Sequence, residues 1–75
     1  MMSSVPRDLL LQMSQAITAE KKRQKLTQGD LAKMAGGSVR TVASIEAGSM
    51  SVAAGSYVLL LFTLGLSVVV ERTEP

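Results

Sequence analysis

Residues 27 to 48 read Thr-Gln-Gly-Asp-Leu-Ala-Lys-Met-Ala-Gly-Gly-Ser-Val-Arg-Thr-Val-Ala-Ser-Ile-Glu-Ala-Gly. No other stretch of this chain narrows its fold so far. Thr27 followed by Asp30 forms a capping box, with Asp in place of the usual Glu, so a helix begins at Gln28. Gly36 ends it after two turns, because the residue closing a helix often needs a positive φ, which glycine adopts without steric cost. Ser38 then caps a second helix from Val39 to about Ala47, and Gly48 ends that one in turn. Leu31, Ala35, Val42 and Ile45 are apolar at the positions where two steeply crossing helices must touch. Ala32 is small where the second backbone comes close. Few two-helix hairpins meet all these conditions together.

The rest of the chain builds around this hairpin. From Arg7 onward, Leu9, Leu10, Met13, Ala16 and Ile17 recur at helical spacing, which predicts an amphipathic helix to about Gln24. Lys21, Lys22 and Arg23 in its last turn complement the negative end of the helix dipole. A central helix containing Tyr57, Val58, Leu60, Leu61 and Leu64 is expected to cover Leu9, Met13, Ile17, Leu31 and Ile45. Leu59 and Phe62 are left over on another face. A helix apolar on every side is buried on every side, and a chain of 75 residues has too little material to do that alone. A second copy is the simplest cover. Ser67 to Val70 holds a run of valines that favours a strand. An unpaired apolar strand edge invites aggregation, and antiparallel pairing about a two-fold axis removes it. The expected dimer interface holds Leu59, Phe62, Leu66, Val68, Val69 and Val70. A disordered apolar tail is the alternative.

Composition removes several classes of function. The chain has no cysteine and no histidine, which rules out disulfides and leaves almost no zinc-site vocabulary. Its six acidic residues are scattered singly. Serines are present, but no histidine can activate one. The expectation is a non-enzymatic protein with no cofactor and no metal. Ala47 to Val70 holds 24 residues without a charge, long enough to span a bilayer. That raises the rival reading of a small membrane-anchored basic protein. Gly48, Ser49, Ser51, Gly55 and Ser56 interrupt the stretch, so the continuous apolar run is only Tyr57 to Leu66, the length of a buried core helix. No secretion signal is visible, so a cytoplasmic, nucleoid-associated location without a membrane is expected.

Charge points to a partner. Residues 1 to 46 carry seven of the eight basic residues against four acidic ones. The hairpin geometry can place its second helix in the major groove of double-stranded DNA. Arg40 is then the candidate for guanine O6 and N7, with Ser38, Val39 and Ser44 as shorter base contacts. Gln28 and Thr41 are candidates for phosphate contacts. Lys21, Lys22, Arg23, Lys25 and Lys33 are candidates for electrostatic contacts to the backbone, although such a run is often only a solvated face.

At these residues the chain resembles the Cro/phage-repressor, or Xre-type, helix-turn-helix family. That family's pattern of Leu-Thr-Gln-x-x-Leu-Ala-x-x-Ala-Gly-x-Ser-x-x-Thr-Val/Ile-x-x-Ile-Glu-x-Gly is met from Leu26 to Gly48 without a gap. The ending Leu64-Gly65-Leu66-Ser67-Val68-Val69-Val70 is similar to the tail of HipB-type antitoxins. The resemblance implies an all-α, five-helix, lambda-repressor-like domain. It would be a single domain over residues 1–75, with a helix-turn-helix at 28–47 and a C-terminal strand at 67–71 pairing across a homodimer. It also implies a repressor on a palindromic operator, and an antitoxin that binds a kinase-like toxin. A stand-alone repressor and a protein-interaction module that no longer reads DNA stay open beside it. The chain departs from the family at Gly37, where Val or Ile is usual, so one core contact is lost. The loop after Gly48 lacks the frequent proline, and Ala53 to Ser56 makes a weak fourth helix.

Overall fold

The computed structural model describes residues 7–68. The chain order is α1 (Arg7–Arg23), α2 (Gln28–Ala35), α3 (Val39–Glu46) and α4 (Ala54–Thr63). The expected all-α class holds over this range, and α2 starts and stops where the capping pattern places it. α1 packs against α3 and α4, and α2 packs against the same two helices.

Two finer expectations fail. Five helices become four among the described residues. Ala53 to Ser56 is no separate fourth helix, because Ser56 N–H bonds the Ala53 carbonyl at 3.0 Å and the chain runs on helically into Tyr57. The central helix expected around Tyr57 to Leu64 is the same helix, which ends at Leu64-Gly65-Leu66. Gly65 is left-handed with φ 86°. Gly65 N–H bonds Phe62 O at 2.9 Å and Leu66 N–H bonds Leu61 O at 2.8 Å, the paired bonds that close a helix. Within the strand expected over 67–71, the described residues Ser67 and Val68 are not in a strand; its expected pairing is with a second copy, not with the four helices. Val69, Val70 and the remainder of that span lie outside the described residues.

The core gathers Leu10 and Ile17 of α1, Leu31 and Ala32 of α2, Val42 and Ile45 of α3, and Tyr57, Leu60, Leu61 and Leu64 from α4 and its end. Met13, Leu26, Ala35, Val52 and Leu66 pack around it, partly buried. Leu9 and Val58 were expected inside and are exposed. On α1 the buried stripe runs Leu10, Ser14, Ile17, rotated from the one the apolar residues suggest. Ser14 can lie on it because its hydroxyl donates to the Ile45 carbonyl at 2.6 Å, which meets the requirement that a buried polar group be bonded. Similar side-chain struts reach the loop after α3 and the end of α4. The Tyr57 hydroxyl donates to the Ser49 carbonyl at 2.6 Å, and the Gln24 amide donates to the Leu64 carbonyl at 2.9 Å. Gly48 lies close against α1. It is left-handed (φ 75°), and a Cβ there would sit 2.9 Å from a Leu11 methyl carbon.

None of the described helices is long and apolar enough to cross a membrane. Within the uncharged stretch, α4 has 10 residues, or about 15 Å of helix against a hydrocarbon layer of about 30 Å.

Candidate nucleic-acid interface

The hairpin α2–α3 is built by local side-chain to backbone bonds. Thr27 Oγ1 accepts the Asp30 N–H at 3.0 Å, and the Asp30 carboxylate accepts the Thr27 N–H at 2.9 Å. The Thr27 backbone N–H holds the Asp30 carboxyl below its usual pKa. Gly36 is left-handed (φ 74°), and Gly37 N–H bonds the Ala32 carbonyl at 2.9 Å. Ser38 Oγ then accepts the Thr41 N–H at 3.1 Å and lies 3.0 Å from the Thr41 hydroxyl.

These bonds set the rotation of α3. Val42 and Ile45 point into the core. Val39 and Arg40 are exposed, and Thr41 and Ser44 are half-buried. Arg40 and Ser44 are four residues apart and share one side of the helix. Ser38, in the turn, is exposed next to them. All four expected base-contact residues therefore retain access to solvent. The Ser38 hydroxyl is also the cap of α3, with the Thr41 hydroxyl bonded to it.

The expected phosphate-contact residues divide into two sets. Lys22, Lys25 and Lys33 are exposed, and with Arg40 they form no ion pair among the described residues. Lys21 and Gln28 instead turn inward onto Glu46. The Lys21 ammonium lies 3.1 Å and 3.3 Å from the two Glu46 oxygens, and the Gln28 amide donates to Oε1 at 3.1 Å. The Lys21 and Glu46 side chains are each only 12% exposed, so this node ties α1 and the start of α2 to the end of α3. Arg23 pairs with Glu20, which also accepts a bond from Gln24 at 2.8 Å. The Arg23 bond lowers the Glu20 pKa and raises that of Arg23.

Glu46 was missed as a positioning residue, although a signal was present. A carboxylate in the last turn of a helix sits at the negative end of the dipole. It is unfavourable there unless a cation is brought to it, and Lys21 is that cation.

The expected dimer residues also divide. Leu59, Phe62 and Val68 are exposed, Phe62 at 76%. Leu66 packs partly onto the core. Val69 and Val70 lie outside the described residues. No protein-family model matches the chain, and no curated protein matches it.

Proposed function

We propose that the chain is a sequence-specific DNA-binding regulator that acts as a homodimer, in the manner of an Xre-type repressor. One observation carries this reading. α3 is locked on one side by Val42, Ile45 and the Glu46 node, while Arg40 and Ser44 lie on the side that stays accessible. A helix fixed in this way presents base-reading groups with little conformational cost. Ser38, at its N-terminal end, enters the major groove first, Arg40 bonds guanine and Val39 meets a thymine methyl. Lys22, Lys25 and Lys33 supply phosphate attraction, with Lys21 and Gln28 holding α3 in place.

Dimerisation is supported by the exposed apolar face Val58, Leu59 and Phe62 on α4. Two copies joined there read half-sites roughly 34 Å apart. The same face also suits a different protein, and the HipB-like tail makes a kinase-like toxin the first candidate. Co-purification with the product of a neighbouring gene tests that second reading. A cytoplasmic, nucleoid-associated location follows from the DNA reading.

A mobility-shift assay on the chain's own promoter region, with unrelated competitor DNA, is the direct test. Arg40→Ala is expected to cost about 1–3 kcal/mol of operator binding and to relax preference at one base position. Unchanged affinity and preference would overturn the docking.

A further inference from the structure

A cavity of about 220 Å³ lies between the α2–α3 turn and α4. Its floor is Val42, Ile45 and Leu60, all buried, and its mouth is at Gly36, Gly37 and Leu59, all exposed. The cause is local. Gly37 follows the left-handed residue that closes α2, the position where a hydrophobic side chain commonly packs back on the helix end. A Cβ built on Gly37 meets nothing within 4 Å. The equivalent residues after α1 and α4, Leu26 and Leu66, both pack onto the core.

We infer that this cavity is a binding site for a small, uncharged, mainly apolar molecule, and that its occupancy adjusts α3. No lining residue carries a charge, so an ion has no counter-charge there. The polar groups are three hydroxyls. Those of Ser38 and Thr41 already bond each other, and Ser56 adds one from the first turn of α4. The ligand accordingly carries a single hydrogen-bonding group on an apolar body. An apolar protein cavity of about 150 Å³ is sufficient for benzene, so a phenol or an indole is of the right size. The molecule touches Thr41 and Val42 on α3 and Leu59 and Leu60 on α4. It therefore wedges the two helices at the start of the proposed reading helix. The consequence for DNA rests on the proposed docking of α3, but the site itself does not.

The test is an NMR titration of the full chain with indole, without DNA. Saturable shifts are expected at Gly36, Gly37, Val42, Leu59 and Leu60. Gly37→Val fills the mouth and is expected to weaken indole binding at least tenfold. Ser56→Leu narrows the opposite wall and is expected to do the same, so a folding failure of one variant leaves the other. Shifts that do not saturate, or that centre on Phe62 and Val58, would overturn the site. So would undiminished binding by both variants, or shifts that track protein concentration instead of indole, which would assign the cavity to a second copy. A parallel mobility shift should show operator affinity changing with indole for the native chain and not for Gly37→Val. Indole binding with no change on DNA would retain the site and overturn its control of α3. Absence of any DNA binding would remove the proposed function and leave the titration result standing.

Discussion

The turn between α1 and α2 and the turn between α2 and α3 close their helices with the same backbone bonds. In the first, Lys25 N–H bonds Lys22 O at 3.0 Å and Leu26 N–H bonds Lys21 O at 2.9 Å. In the second, Gly36 N–H bonds Lys33 O at 3.3 Å and Gly37 N–H bonds Ala32 O at 2.9 Å. The side chains are distributed oppositely. The first turn places a lysine in the left-handed region (φ 60°) and follows it with a leucine packed on the core. The second has a glycine at the left-handed position, and another glycine where the leucine would be. One turn carries backbone strain and compensating packing, and the other carries neither. Backbone closure is thus separable from what the side chains do. The hairpin that carries the proposed DNA contacts holds the less packed of the two turns.

Five variants can break or refine this contrast, and chemical denaturation at neutral pH reads four of them. The largest effect is expected from Leu26→Ala, which removes a partly buried side chain and should cost about 1–2 kcal/mol. A smaller loss than that from Gly37→Ala would refute the claim that the first turn is the packed one. Gly37→Val should stabilise by about 1 kcal/mol, by filling apolar space and restricting the unfolded chain. Lys25→Gly should stabilise by roughly 0.5–1 kcal/mol through relief of the left-handed backbone, while making the salt dependence of the proposed DNA binding shallower. A destabilised Lys25→Gly would show that the lysine side chain matters more than its strain.

The smallest effect concerns the cap that starts the first hairpin arm, α2. The Asp30 carboxyl is depressed chiefly by the Thr27 N–H. Its contribution is therefore present above its unfolded pKa of about 4 and lost as pH falls through the lower folded value. Asp30→Asn should flatten the acid limb of the stability curve. An unchanged limb would place the acid sensitivity elsewhere, with Glu20 the next carboxylate whose pKa is lowered.

How much was legible follows the range of each interaction. The bounds of α2 and the start of α3 could be read because caps act within three or four residues: Thr27 with Asp30, Gly36 with Gly37, Ser38 with Thr41. The exposure of Arg40 was legible for the same reason, since Val42 and Ile45 define the buried side of α3 and leave Arg40 on the other. The merging of the fourth and fifth helices was not, because Gly55 and Gly65 look alike on paper and only Gly65 adopts a positive φ. The roles of Lys21 and Gln28 were not legible either, since Glu46 lies 25 and 18 residues away.

By itself the sequence determined four things: helical punctuation, the apolar face of the hairpin, the basic bias of the first half, and the missing side chain at Gly37. Each depends on neighbours one turn away or on residue type alone. The tertiary structure decided which stripe of α1 is buried, which cations are consumed internally, where α4 ends, and that the gap at Gly37 opens into a cavity. Those outcomes depend on which distant backbone comes alongside. Ser14 is core only because the Ile45 carbonyl is there to accept its hydrogen bond, and Lys21 is internal only because α3 brings Glu46 within 3.1 Å.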